Sequence, residues 1–215
     1  MLPLTAAALL KVCGLRDAAN LAAVAALHPD FMGFIFHAAS PRYAGVLAPA
    51  AVQALPLSIR RVGVFVDETT TNILALAQSF GLHVVQLHGH ETPAQCTALR
   101  AGGLQVIKAF EVGETLDIEP LKPYATCCDY FLFDTQGPAP GGNGRAFDWQ
   151  LLRTYDLPVP YLLAGGIGPA HAAELARLRL PGLAGFDLNS RFETAPGLKD
   201  AASLQLFFAA QRPLL

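Results

Sequence analysis

The chain has 215 residues, enough for one domain with a full hydrophobic core and short for two. Apolar residues make up 53% and charged residues 15%, yet no run of 18 apolar residues occurs, so no membrane-spanning helix is expected. A net charge of −2 gives no electrostatic reason for nucleic acid or an anionic membrane as a partner.

Met1–Leu9 lacks the basic start of a signal peptide and leads directly into a strand-like run. It is expected to be a short extension of a single domain spanning 1–215. Eight strand-like runs follow in order: Leu10–Cys13, Phe31–Phe36, Arg61–Val66, Val84–His88, Gln105–Phe110, Tyr130–Asp134, Tyr161–Ala164 and Gly185–Asn189. Most are nearly continuous apolar stretches, the pattern of strands buried on both faces. Helix-like segments separate them. Asp17–Leu27 is Ala-rich with apolar spacing. Thr69–Phe80 opens on a capping cluster and stops at Gly81, and Thr92-Pro93 caps a segment leading to Arg100. Gly168-Pro169 opens a helix through Leu178, and Asp200–Ala210 is the last. The weakest helices fall between strands two and three, five and six, and six and seven, where Pro and Gly accumulate, as in Gly137–Gly144. Eightfold strand–helix alternation predicts a (β/α)8 TIM barrel or a doubly wound sheet, and the count of eight favours the barrel.

Four cysteines are present: Cys13, Cys96, Cys127 and Cys128. Adjacent cysteines make a poor disulfide and no Cys-x-x-Cys occurs, so a reduced, cytoplasmic protein is expected. The histidines are scattered apart from His88 and His90, and no metal site is predicted.

In such a barrel the C-terminal strand ends face the active site. Read in order, they offer Cys13, the loop carrying Arg42, Asp67, His88, Glu111, Asp134, Gly165-Gly166 and Asn189-Ser190. Two adjacent glycines let backbone N–H groups approach a phosphate, and strand eight, ending Asp187-Leu188-Asn189-Ser190, adds hydroxyl and amide donors. A Gly-Gly turn with a capping Ser is the plainer alternative. Pro41 stiffens the loop that presents Arg42, whose fork suits a carboxylate. Cys13 precedes a glycine turn, a place for a reactive thiol rather than a packed one. Asp134 lies ahead of the glycine-rich stretch Gly141–Gly144, as an acid beside a mobile loop would, although it can equally cap that loop. His88 suits a structural role as well as a ligand contact. Trp149 is expected to pack a helix on the barrel, and Phe207-Phe208 to pack there or at an interface.

These stretches, taken together, resemble the phosphoribosylanthranilate isomerases of tryptophan biosynthesis. The matching motifs are Lys11-Val12-Cys13-Gly14, Gly33-Phe34-Ile35-Phe36 with Ser40-Pro41-Arg42-Tyr43, Val62-Gly63-Val64-Phe65, and Val85-Gln86-Leu87-His88-Gly89. They continue with Phe133-Asp134-Thr135, Gly141-Gly142-Asn143-Gly144, Phe147-Asp148-Trp149, Leu163-Ala164-Gly165-Gly166-Ile167 and Asp187-Leu188-Asn189-Ser190, leading to Glu193, Pro196-Gly197 and Lys199-Asp200. The resemblance implies a TIM barrel without metal or organic cofactor that carries out an Amadori rearrangement of N-(5-phosphoribosyl)anthranilate. It implies Cys13 as general base, Asp134 as general acid and Arg42 on the anthranilate carboxylate. The further substrate-binding candidates are His88, Gly142, Gly165, Gly166, Asp187, Asn189 and Ser190. The implied partner is a small phosphorylated molecule, and the implied assembly is a monomer or homodimer.

The chemistry sets requirements. Ring opening needs a proton from Asp134, so burial or a nearby anion must raise its pKa. Proton abstraction at ribose C2 needs a Cys13 thiolate, hence a lowered pKa or an electropositive pocket. Asn143 and Arg191 depart from the family's usual small residues. Three alternatives compete. A metal-dependent epimerase would need His and Asp ligands at several strand ends. An indole-forming synthase would use Lys and Glu, for which Lys108 and Glu111 are available, but leaves Cys13 unexplained. A non-enzymatic barrel that merely binds phosphorylated metabolites would depend on Cys13 and Asp134 for affinity alone.

Overall fold

All eight apolar runs become strands, and each pairs in parallel with the next until the last pairs with the first. The computed structural model describes residues 7–136 and 147–212. The strands are β1 Leu9–Val12, β2 Phe31–Ile35, β3 Arg60–Phe65, β4 Val84–Leu87, β5 Gln105–Val112, β6 Tyr130–Thr135, β7 Tyr161–Leu163 and β8 Leu183–Leu188. The barrel is closed, as the eightfold alternation predicts, and the doubly wound alternative falls. β1 already opens at Leu9, the last residue of the stretch read as an extension.

Each strand alternates between two cores. One face, with Phe31, Val62, Val84, Ile107, Ala109, Leu132, Leu162 and Ala164, fills the barrel interior. The other, with Val12, Met32, Phe65, Val85, Phe131, Phe133 and Phe186, packs against the helices. Two buried faces explain why the strands read as unbroken apolar runs. The inward set continues by steps of two to the strand ends: Cys13 and Ile35, then His88, Asp134, Asp187 and Asn189, all of which line one cavity.

The helices follow their local signals. α1 (Ala18–Ala25) is capped by Asp17, whose side chain accepts from the Asn20 N–H. α3 (Thr70–Phe80) is capped by Thr69 and ends at Gly81, which is left-handed at φ +61°. α4 (Pro93–Ala101) starts behind Thr92. α6 (Ala201–Gln211) is capped by Asp200 and buries Phe207 and Phe208 on the barrel, Phe207 against Phe186 and Phe192. Where weak helices were expected, α2 (Pro49–Gln53) is short, and 3-10 turns span Glu119–Tyr124 and Trp149–Thr154. The helix after Gly168 is shorter than its pattern suggests, a 3-10 turn over Pro169–His171 followed by α5 (Ala172–Leu175). Trp149 is buried with its ring edge-on to His171, as expected of a packing residue. After β8, a small antiparallel hairpin of β9 (Glu193–Ala195) and β10 (Leu198–Lys199) sets Lys199 opposite Glu193.

Candidate active site

A cavity opens at the C-terminal ends of the strands. Counted together with the open space at its mouth, it encloses about 770 Å³. Cys13, His88, Asp134, Gly165, Gly166, Asp187, Asn189 and Ser190 all line it. Gln86, His37 and Ser40 join them. Gly142 and Asn143 lie outside the described residues.

Cys13 follows β1, and its N–H donates to the Leu188 carbonyl of β8. Gly33 on β2 leaves the thiol its room, because a Cβ there would sit 2.8 Å from Sγ. Below Cys13 on the same inward face lies Lys11, fully buried, with Nζ 2.9 and 3.0 Å from the Asp187 carboxylate oxygens. Burial alone would lower the Lys11 pKa, but Asp187 and Cys13 outweigh it, and the ammonium is held above its ordinary value. The Cys13 thiol runs contrary to the expectation of a lowered pKa. Burial pushes it above its ordinary value, while Lys11 and Lys199 pull it back. The electropositive surroundings are therefore present, but they do not overcome desolvation.

Asp134 is the penultimate residue of β6, three strands from β1 around the closed barrel. Burial pushes its pKa up to about 6; the Thr135 N–H, donating to Oδ1 at 2.8 Å, pulls down, and the charges of Asp187 and Glu111 push up. The requirement for a raised carboxyl is met by desolvation first and by neighbouring anions second. Glu111 sits directly beside Asp134 in the β5–β6 register.

His88 Nε2 lies 3.6 Å from Asp134 Oδ2. Burial, then the charges of Lys11 and Lys108, press the imidazole down to about 4, so it is neutral. Gln86 Nε2 donates to His88 Nδ1 at 2.9 Å, which leaves the ring proton on Nε2, toward Asp134. The Gln86 Oε1 is buried and has no partner among the described residues.

The glycine turn after β7 is left-handed, as adjacent glycines allow. Gly165 and Gly166 adopt φ +82° and +66°, and a Cβ on Gly165 would land on Thr135 Oγ1. Asn189 Oδ1 accepts from Lys199 Nζ at 2.7 Å, and Lys199 also pairs with Glu193 at 2.6 Å. Arg42 departs from the rest. Its Nε and Nη2 fork onto Glu193 at 2.7–3.0 Å, and it does not line the cavity. It leans on the Gly14 turn, where a Cβ would meet Arg42 Cδ and Asn189 Oδ1 at 2.7 Å each.

Lys11, Gln86, Lys199 and Glu193 escaped the reading of strand ends. The first two carried a signal: each is a polar residue in an apolar strand, two positions before a site residue and so on the same inward face. Lys108, by contrast, falls on the outward face, held by Glu91 at 3.2 Å and by the carbonyls of Leu87, Gly89 and Ala109. That removes the lysine an indole-forming synthase would use. Asp67 turns to the N–H and ring of His90, so His88 and His90 serve different partners.

Over residues 10–210 the chain matches the family described as N-(5'phosphoribosyl)anthranilate (PRA) isomerase. It is 45% identical over 199 residues to the N-(5'-phosphoribosyl)anthranilate isomerase of Phocaeicola vulgatus, covering 93% of this chain and 95% of that one. Its fold is similar to a solved phosphoribosylanthranilate isomerase in complex with reduced 1-(o-carboxyphenylamino)-1-deoxyribulose 5-phosphate, with TM-score 0.79, 30% identity, and coverage of 95% and 98%. It is equally similar to monomers of the dimeric enzyme of Thermotoga maritima, with TM-score 0.79, 29% identity and the same coverage.

Proposed function

This chain belongs to the N-(5'-phosphoribosyl)anthranilate isomerase family, and from that premise we propose that Cys13 and Asp134 carry its chemistry. The reaction is the isomerisation of N-(5'-phosphoribosyl)anthranilate to 1-(2-carboxyphenylamino)-1-deoxyribulose 5-phosphate, a step in making tryptophan. One observation carries the assignment of roles: a thiol from β1 and a carboxyl from β6, far apart in sequence, line one cavity, and the carboxyl is poised to hold a proton.

The protonated Asp134 gives its proton to the furanose ring oxygen as the C1–O bond breaks and the nitrogen lone pair forms an iminium. The iminium acidifies the C2 hydrogen. The Cys13 thiolate takes that proton, the C2–H electrons form the C1–C2 double bond of an enolamine as the iminium nitrogen regains its lone pair, and protonation at C1 with loss of the C2 hydroxyl proton to solvent yields the ketone. Lys11 and Lys199 offset the charge on the thiolate. Gln86 fixes His88 with its N–H toward Asp134, where it steadies the carboxylate left after proton transfer. Gly165, Gly166, Asn189 and Ser190 hold the phosphate. Arg42 takes the anthranilate carboxylate once its fork, held on Glu193, turns toward the cavity it does not line here. Asp187 keeps Lys11 charged.

No metal or organic cofactor enters this scheme. The chain acts as one domain in the cytoplasm, as a monomer or homodimer, which sedimentation distinguishes. Among the described residues no helix is long and apolar enough to cross a membrane.

The test follows the fluorescence of freshly made substrate with wild type, Cys13→Ser and Asp134→Asn. General acid and base groups each contribute about 10²- to 10⁴-fold, so both variants should lose kcat on that scale while remaining folded. A variant with near-normal turnover removes that residue from its role.

A further inference from the structure

The catalytic scheme uses one of four cysteines. The other three meet in one place: Cys96 on α4, and Cys127 and Cys128 in the segment just ahead of β6, are all buried with their sulfurs within 4.8 Å of one another. None lines the substrate cavity; they lie in the layer between barrel and helices. Small apolar side chains would fill that layer equally well, and nothing in the isomerisation calls for thiols there. The segment reaches the surface at Thr126, which is exposed and whose carbonyl accepts from Arg100 of α4.

Among the described residues this is the one group of three or more potential ligand side chains that converge on a point, and all its donors are sulfur. The nearby Glu91 carboxylate is committed to the N–H groups of Asp67 and Gly89 and to Lys108, so it offers no fourth ligand. Three sulfurs around an ion at a metal–sulfur distance of about 2.3 Å stand about 4 Å apart, so the existing triangle closes on an ion with sub-ångström shifts. Zinc seeks four ligands in a closed site. A soft, closed-shell monovalent ion accepts three and is selected by sulfur. We propose that Cys96, Cys127 and Cys128 form a three-coordinate, all-sulfur site for one cuprous ion, tying α4 to the segment that leads into β6. Each thiol that binds as thiolate releases its proton to solvent and donates a sulfur lone pair, and copper enters and stays as Cu(I).

The experiment uses the full chain carrying Cys13→Ser, reduced and kept free of oxygen, titrated with Cu(I) against a bicinchoninate competitor. The expected result is one copper retained per chain, with three sulfur neighbours by X-ray absorption and a raised Tm. Adding Cys96→Ala, Cys127→Ala and Cys128→Ala should abolish retention. The same triple substitution with Cys13 intact should keep isomerase turnover, which reports folding. If the triple variant does not fold, Cys127→Ser alone should weaken retention at least about tenfold. No retained copper, retention unchanged in these variants, or zinc held in its place with copper excluded would each overturn the proposal.

Discussion

In the proposed mechanism Asp134 enters the reaction protonated and Cys13 enters it ionised, yet burial sets the two in the opposite order. The carboxyl sits at about 6 and the thiol above its ordinary value of 9.0. Between those values the dominant form is carboxylate plus thiol, and the reactive carboxyl-plus-thiolate form is a constant minor fraction. Below about 6, Asp134 is already protonated and the thiolate falls tenfold per pH unit. Above the thiol's pKa, Cys13 is already ionised and the protonated carboxyl falls instead. The kcat/KM profile should therefore climb to a break near pH 6, run flat past 9, and then decline. A rate still rising between pH 6 and 9 would contradict the role given to Asp134. The same shift acts on stability: the folded state holds the Asp134 proton more tightly than the unfolded chain, so its contribution is complete at about pH 4 and below and is lost as pH rises through about 6.

At the scale of elements, local signals decided most boundaries. Thr69 and Gly81 bracket α3 because a side-chain acceptor and a left-handed glycine satisfy groups the helix leaves bare. The Pro-containing segment Glu119–Tyr124 collapses to a short 3-10 turn, as expected where a backbone donor is missing. In the proposed function the loop after β7 holds the substrate's phosphate. Gly165→Ala would force a side chain onto Thr135 at a left-handed φ. It should raise KM for the phosphorylated substrate by at least about tenfold, the equivalent of about 1.4 kcal/mol. Steady-state kinetics with unchanged KM would remove the loop from the phosphate site.

The whole molecule contributes through closure. Pairing of β1 with β8 puts Lys11 directly opposite Asp187, 176 residues away, inside the barrel. Breaking one partner of a buried pair strands the other, so Lys11→Met should cost about 3–5 kcal/mol of stability, read by denaturant unfolding. Lys11→Met with Asp187→Leu should recover much of that stability and none of the activity, because the thiolate loses its nearest cation. Recovery of activity in the double variant would assign Lys11 a purely structural part.

The sequence by itself determined the eight strands, the caps and the polar strand ends that line the cavity, because each rests on local rules: apolar runs buried on two faces, caps beside helices, glycines where the backbone must turn left-handed. The family motifs brought Cys13 and Asp134 forward for the same reason, lying within single short stretches. Only the tertiary structure decided what those groups feel. Burial, which no run of letters displays, set the pKa values of Cys13, His88 and Asp134. Barrel closure joined Lys11 to Asp187, and a hairpin beyond β8 carried Glu193 to Arg42 and Lys199 to Asn189. Packing of α4 against the segment before β6 gathered three thiols whose spacing in the sequence predicts nothing, since contact between distant segments is a property of the closed fold rather than of any local pattern.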